Sequence, residues 1–274
     1  MNEIQSIPRR SPKKPKPPLK SARVVSSTRI TPNMQRVVLG GEDVAGFTPD
    51  RAGANLKICV PAVDATDAEF LGVLKDNAAS KTLRTFTVQS SDPDAGTLTI
   101  DFALHEPAGH SPAGDWARGA KAGDLLGYRG PSDKKLTDFL ADNYICCADM
   151  TALPAISAIL QDMPREAKGH AFIEITHKDD AQSLDAPKGM ELHWIVHPDP
   201  SKPSTKAVDA IKALELPESL QVAVIGEHTV VASLKDYFFV QKGLDPEQNY
   251  ISPYWKIGLV EDEHQKLKKA ERGD

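Results

Sequence analysis

Three cysteines in 274 residues, two of them adjacent at Cys146 and Cys147, make neither a disulfide framework nor a thiolate metal site of usual spacing. A reducing compartment and a cytoplasmic location are therefore expected. No run of about 18 apolar residues is present to cross a bilayer. The N-terminus also lacks the apolar core of a secretory signal, so no membrane insertion is expected. His177, His193, His197, His228 and His264 stand at no spacing typical of a metal centre, and no resident metal is expected. Neither Gly-x-Gly-x-x-Gly nor a Walker-type loop occurs, which argues against a Rossmann seat of the usual kind for a tightly held dinucleotide. With 33 basic against 38 acidic residues the formal charge is -5, so a general nucleic-acid binder is not expected.

What the chain does contain is an ordinary globular composition, 40% hydrophobic and 26% charged, at a length that suits two domains. Residues 1–20 stand apart. Arg9, Arg10, Lys13, Lys14, Lys16 and Lys20 are scattered among Pro8, Pro12, Pro15, Pro17 and Pro18, with too little apolar surface to order the segment. They read as a disordered, basic, proline-rich tail. From residue 21 to 137 short strands recur between turn residues: Ala22–Ser26, Met34–Gly40, Leu56–Val60, Arg84–Gln89, Leu98–Leu104 and Leu125–Tyr128. That rhythm predicts an antiparallel barrel or sandwich. From 138 to 258 the pattern alternates between strands (144–148, 171–176, 191–197, 221–225, 249–252) and helices (152–163, 205–214, 230–242). Crossover units and a mainly parallel sheet follow, with ligands expected outside the carboxyl ends of the strands. Residues 259–274 carry opposite charges at helical spacing and read as a C-terminal helix or tail.

Leu83-Arg84-Thr85-Phe86-Thr87-Val88 and Leu98–His105 flank the turn Ser91-Asp92-Pro93-Asp94-Ala95-Gly96. A proline with fixed φ and a permissive glycine make the two runs one hairpin. Its first arm offers a guanidinium for a phosphate, a ring for a ring, and hydroxyls for a heteroatom edge. This set suits a flavin.

Taken in order, Arg84-Thr85-Phe86-Thr87, Asp101-Phe102-Ala103-Leu104-His105, Gly123-Asp124, Thr151-Ala152-Leu153-Pro154-Ala155-Ile156, Gly226-Glu227 and Tyr254-Trp255 resemble the siderophore-interacting protein family. These are FAD-containing ferric-siderophore reductases of the wider ferredoxin-reductase-like group, and the resemblance runs from about residue 20 to 262. It implies a six-stranded antiparallel Greek-key β-barrel that binds FAD (21–137), then an α/β NAD(P)H-type domain with a mainly parallel sheet (138–258). It also implies a ferric siderophore as substrate, with transient NADH or NADPH, or reduced ferredoxin, as electron donor. A monomer is expected.

Carried across residue by residue, the resemblance implies that Arg84, Thr85, Phe86 and Thr87 match an Arg-x-Tyr-Thr flavin motif. Phenylalanine replaces tyrosine, so a phenolic hydrogen bond of about 0.5–1.5 kcal/mol is absent. Asp101, Phe102, Leu104 and His105 follow on the next strand. Ser111, Ala113, Gly114 and Trp116 belong to a small-residue loop leading into a helix, whose unpaired amides favour a pyrophosphate. Asp115 there is expected to cap the helix, and Trp116 is either a flavin contact or a core anchor. Thr151, Ala152, Tyr254 and Trp255 complete the cofactor set. Asp149, Thr151, Gly226 and Glu227 are implied for the donor, although Ala148 and Met150 stand where the family has Gly and Glu. The generic reading of Asp149 to Pro154 is a helix cap. No arginine pair for a 2′-phosphate follows the second sheet strand, and Asp179 and Asp180 there favour NADH. Lys57, Lys134, Lys135 and Lys256 are the candidate bases for an anionic siderophore. No catalytic acid, base or nucleophile is expected, because the cofactor carries the chemistry. Two other classes stay open: a general flavin reductase or ferredoxin-NADP-type electron-transfer enzyme, and a siderophore-binding protein that has lost turnover.

Overall fold

The computed structural model describes residues 19–45, 48, 51–76, 83–104 and 111–259. The expected N-terminal tail, but for its last two residues, and the C-terminal helix beyond Leu259 lie outside the described residues. So does His105.

Six strands close into an antiparallel barrel: β1 (Lys20–Thr31), β2 (Met34–Gly40), β3 (Asn55–Cys59), β4 (Leu83–Asp92), β5 (Thr97–Ala103) and β6 (Leu125–Arg129). Their order round the barrel, β1-β2-β5-β4-β3-β6, is the Greek-key path expected. Period-two alternation supplies the core, where Val37, Leu39, Leu56, Ile58, Val88, Leu98, Ile100, Phe102, Leu126 and Tyr128 are sequestered from water. The hairpin of β4 and β5 forms around the turn read from the sequence, with Val88 opposite Ile100 and Asp92 opposite Thr97. Gly96 takes the left-handed φ of +61° that its turn demands. One element was not anticipated, the helix α1 (Asp67–Lys75). Thr66 and Glu69 form a reciprocal capping box at its start, and Phe70 and Leu74 cover Cys59 and Leu125 at the barrel wall. A second helix, α2 (Pro112–Gly119), leads from β5 to β6.

The second unit is a five-stranded sheet of β7 (Asn143–Asp149), β8 (Lys168–Ile175), β9 (Gly189–Val196), β10 (Leu220–Glu227) and β11 (Tyr250–Trp255), in the order β11-β10-β7-β8-β9. Every neighbouring pair is parallel. Helix α3 (Leu153–Asp162) covers one face, where Ile156 and Leu160 join Cys146 and Ala148 of β7. Helices α4 (Lys206–Lys212) and α5 (His228–Lys235) cover the other, and α5 runs on into a π-helical turn over Asp236–Gln241. The adjacent Cys146 and Cys147 point to opposite faces, both buried. Burial pushes the Cys146 thiol up to about 12 and the Cys147 thiol up as well. Neither is a ready ligand or redox thiol. No helix among the described residues is long and apolar enough to cross a membrane.

Asp180 ties the barrel to the sheet. Its side chain is fully buried and accepts hydrogen bonds from Thr31 Oγ1 at 2.7 Å, Asn33 N at 2.8 Å and Asn33 Nδ2 at 2.8 Å. On its own side it accepts from Thr176 Oγ1 at 3.1 Å and His177 N at 2.9 Å. Burial alone raises a carboxyl pKa, but these donors hold Asp180 below the usual carboxylate range. The sequence reading of Asp180 as a residue that favours NADH is thereby corrected, because a fully hydrogen-bonded interdomain carboxylate has nothing left for a ribose. On the opposite flank α3 lies against β4. Gly53 approaches so closely that an added Cβ would meet Ala158 Cβ at 2.9 Å.

Replacing Asp180 with alanine leaves several buried donors unpaired, and a loss of about 2–4 kcal/mol is expected in urea unfolding. A carboxylate with a lowered folded pKa contributes stability above its ordinary value near 4 and loses it as pH falls through the folded value. Stability of the wild type measured between about pH 5 and pH 2 should therefore fall more steeply than that of Asp180→Ala. Parallel curves for the two proteins would contradict this account.

Candidate functional site

The chain leaves β7 outward through β8 and β9, then returns across β7 to β10 and β11. β7 and β10 thus flank a topological switch point, the usual place for a ligand crevice. A cleft of about 560 Å³, counted to its open mouth, lies at the carboxyl ends of these strands and is closed on one side by Ala103 and Leu104 of the barrel. Leu104, Met150, Ile175, Val230 and Ile257 give it apolar walls.

Asp149, at the end of β7, organises the floor. Its Oδ1 accepts from Thr151 N (2.8 Å), Thr151 Oγ1 (2.6 Å) and Ala152 N (3.2 Å), while Oδ2 accepts from the Trp255 indole at 2.7 Å. Burial raises its pKa, although the donated bonds from Thr151 and Trp255 pull the other way. The carboxylate fits here because the neighbouring position is glycine. Gly226 has φ +140°, and a Cβ on it would stand 2.6 Å from Asp149 Oδ2. Glu227 is likewise engaged in structure. It caps α5 through Thr229 N at 2.5 Å and Val230 N at 3.3 Å, and holds Ile257 N at 3.2 Å. Asp149, Thr151 and Glu227, read from the sequence as donor-site residues, all line the cleft, and both acids are engaged with neighbouring backbone and side chains. Helix α3 starts at Leu153 with Pro154 in its first turn; its N-cap position, Ala152, has no side-chain cap, and Asp149 instead closes the turn that leads into it.

β11 faces two ways. Trp255 lines the cleft, whereas Tyr254 turns toward the barrel, beside Ala52 and Gly53 and close to Thr87 of β4; burial pushes its phenol pKa well above the ordinary value. β4 alternates too. Thr85 and Thr87 lie opposite Lys57 and Asn55 on the outer face, while Arg84 and Phe86 lie opposite the inward Ile58 and Leu56. The Phe86 ring is 4.5 Å from Phe102, which is itself 5.9 Å from Trp116. Phe102 is wholly buried in the barrel and Trp116 packs at its margin, so these rings form a tilted aromatic cluster anchored in the core. Lys57 Nζ donates to Thr85 Oγ1, and Arg129 sits directly across the ladder from Lys57. On this outer face Asn55 Oδ1 and Arg129 Nε are buried without a hydrogen-bond partner. Buried polar atoms are normally paired, so this surface is shaped for a polar group that the described residues do not supply. A ligand carrying both hydrogen-bond donors and acceptors, such as FAD, fits that requirement at the two buried atoms.

The remaining candidates divide. Ser111 Oγ accepts from Gly114 N at 3.3 Å, and Asp115 accepts from Ser111 N at 3.3 Å. Asp115 thus helps cap α2, and part of the helix's donor set is already engaged. Ala113 and Gly114 are buried against the barrel. Asp101 lies in a two-pronged ion pair with Arg36, both contacts at 2.7 Å, and cannot turn to a cofactor without breaking it. Ala152 is fully buried and contributes only its amide. Lys134 pairs with Asp162 at 2.6 Å, so its charge is largely neutralised, while Lys135 is exposed. Both border a smaller recess with Tyr250 and Tyr254. Lys256 follows β11 and is half-buried. Sequence reasoning missed Arg129, which only the non-local pairing of β3 with β6 brings beside Lys57. It also missed the wall formed by Ser204 and Glu174, joined at 2.5 Å, and by His197, whose Nε2 lies 2.9 Å from Lys202 O.

Residues 23–135 match the family profile described as a siderophore-interacting FAD-binding domain, and residues 141–258 match that of the siderophore-interacting protein. The ferric vibriobactin reductase ViuB of Vibrio cholerae is 32% identical over 244 residues, covering 85% of this chain and 88% of that protein. Among solved structures, the siderophore-interacting protein SipS from Aeromonas hydrophila superposes with a TM-score of 0.80 at 29% identity, over 94% of this chain and 99% of that one. A siderophore utilization protein from T. fusca gives a TM-score of 0.73 at 30% identity, over 90% of this chain and 96% of that one.

Substituting Gly226 with alanine should drive Asp149 out of place and release the Trp255 indole. A stability loss of about 2–4 kcal/mol, with a red-shifted tryptophan emission, is the expected result. An unchanged emission maximum and unfolding midpoint would show that Asp149 does not depend on the missing Cβ.

Proposed function

Since the chain belongs to the siderophore-interacting protein family, we propose that it is a FAD-dependent ferric-siderophore reductase that takes electrons from NADH or NADPH. The barrel, residues 21–137, is the FAD domain and the sheet unit, 138–258, is the donor domain. The observation that carries this reading is the split on β11. Tyr254 reaches the flavin strand at Thr87 while the next residue, Trp255, walls the cleft at the switch point. A cofactor seat and a donor cleft are thus one residue apart. A crevice at the switch point of a parallel sheet is the usual seat of a nucleotide, which favours a nicotinamide nucleotide over reduced ferredoxin.

When bound, FAD supplies the redox chemistry, accepting a hydride and delivering electrons singly. The protein's part is binding and placement. Arg84 offers its guanidinium to phosphate, Thr87 its hydroxyl to the heteroatom edge, and Phe86, held by Phe102, a ring to pack against. Thr85, Ser111, Gly114, Trp116, Thr151 and Tyr254 complete the seat, while Leu104 and Trp255 close it toward the donor. Asp149 and Glu227 keep the cleft in shape through the amides and indole that they hold. Lys57 and Arg129, adjacent on the outer face, attract an anionic ferric siderophore, with Lys135 and Lys256 adding to the local positive potential. Iron is substrate here. Hard oxygen donors hold Fe(III) far more tightly than Fe(II), so reduction alone releases it. The enzyme works as a monomer in the cytoplasm, where its buried thiols Cys59, Cys146 and Cys147 remain reduced.

The purified protein should be yellow, bleach on mixing with NADH or NADPH in a stopped-flow instrument, and recover its colour with a ferric hydroxamate or catecholate. Reoxidation by free flavin but not by ferric siderophores would make it a general flavin reductase. Bleaching by reduced ferredoxin alone would reassign the donor, and a protein unable to take up FAD would end the enzyme reading. The double variant Lys57→Ala/Arg129→Ala should raise KM for an anionic ferric siderophore by about tenfold with kcat little changed, and should flatten the salt dependence of kcat/KM.

A further inference from the structure

Two histidines that sequence spacing kept apart meet across the parallel pair β8 and β9. His170 lies opposite Glu191, and Phe172 opposite His193. His170 Nδ1 stands 3.1 Å from His193 Nε2, and Glu191 Oε2 lies 3.5 Å from the first nitrogen and 3.8 Å from the second. We propose that His170, Glu191 and His193 form a binding site for a divalent first-row transition ion of the Zn(II) or Cu(II) class.

The distances carry the assignment. Bonds of about 2.0–2.1 Å at octahedral or tetrahedral angles put neighbouring donor atoms about 2.9–3.4 Å apart. The two nitrogens already satisfy this, and the carboxylate needs a shift of a few tenths of an ångström. Glu191 is free to make it, being 70% exposed. The His193 ring is held ready, stacked on Phe172 at 4.5 Å with an interplanar angle of 12°, and Phe172 is locked in the core beneath α4 and α5. Two imidazoles and one carboxylate without a thiolate select borderline divalent ions over Mg(II) or Ca(II). Both histidines are partly exposed, which leaves the remaining coordination positions open to water. The ladder shows why spacing hid the site. His170 and His193 are 23 residues apart, and parallel pairing through a crossover, not a short motif, unites them. Sitting five residues before Ile175, a lining residue of the cleft, His170 is about 16 Å along the strand from it. The ion would clip edge strand β9 to β8 and leave the reductase centre untouched.

The full-length, FAD-loaded protein in its oxidised state tests this. Titrated with Zn(II) against a chromophoric chelator, the wild type should bind one equivalent at least about tenfold more tightly than His193→Ala or His170→Gln, with Glu191→Gln intermediate. The Cu(II) complex should give an electron paramagnetic resonance spectrum with two coupled imidazole nitrogens, one fewer in each histidine variant. Flavin absorbance and donor-dependent turnover should match in all four proteins, which separates loss of the site from loss of the fold. Equal Zn(II) affinity and stoichiometry in the wild type and both histidine variants, or a Cu(II) spectrum unchanged by them, would overturn the assignment.

Discussion

The carboxylate of Asp149 is the constraint on which the working edge of the molecule depends. It accepts four hydrogen bonds, from two amides and a hydroxyl just before α3 and from the indole at the end of β11. It therefore fixes three things together: where β7 stops, where α3 begins, and which way Trp255 turns. An enclosed carboxylate is costly unless its lone pairs are taken up, and here they are. Gly226 supplies the remaining condition, since any side chain there would collide with Asp149 Oδ2. The pair Gly226-Glu227, prominent in the sequence as a donor-site signature, thus has a packing origin. One residue makes room for Asp149, and the next caps the following helix and pins Ile257.

A second constraint operates between the two halves. Asp180 gathers donors from the β1–β2 turn and from the end of β8, while Gly53 meets α3 on the opposite side and Thr87 meets Tyr254 between them. The barrel is consequently held to the sheet unit at several points. That matters for an electron-transfer centre, where donor and acceptor must be placed by the scaffold because no side chain performs the chemistry. Rigid attachment also explains the division of polar groups at the cleft. Asp149 and Glu227 are engaged with backbone, the Thr151 hydroxyl and the indole, and Glu174 with Ser204, so the faces left to a ligand are mainly apolar walls with His197 and Lys202 beside them.

Much of this was legible in the sequence. Strand positions followed from period two, and Met34–Gly40 coincides with β2 to the residue. The β4–β5 hairpin was announced by Pro93 and Gly96, and the alternating second half by its compact apolar runs. Helix α1 was missed although Thr66-Asp67-Ala68-Glu69 spells a capping box, because its apolar face amounts to little more than Phe70 and Leu74. The site was less legible, for a consistent reason. A linear motif groups residues that a strand then deals to opposite faces: Arg84 and Phe86 against Thr85 and Thr87, Tyr254 against Trp255. Conversely, Lys57 with Arg129, and Asp101 with Arg36, are partners only across a ladder. Asp180 was read as a surface specificity residue because nothing local reveals that Thr31 and Asn33 cover it.

The same geometry determines where specificity resides. If, as proposed, the cofactor carries the electrons and the acids at the cleft are structural, charge and shape on the outer face of β3 and β6 are where substrate discrimination is to be sought. There Lys57 and Arg129 are cross-strand neighbours, and like charges placed directly opposite are mutually unfavourable. Such a pair persists in a stable barrel only if something offsets the repulsion. Thr85 relieves part of it by accepting from Lys57, yet Arg129 Nε and Asn55 Oδ1 remain unpaired and buried. A ligand carrying an acceptor for Arg129 Nε and a donor for Asn55 Oδ1 would supply both missing partners. The proposed ligand-binding role of this face therefore rests on two buried polar atoms beside a pair of cations, a combination that packing alone does not call for.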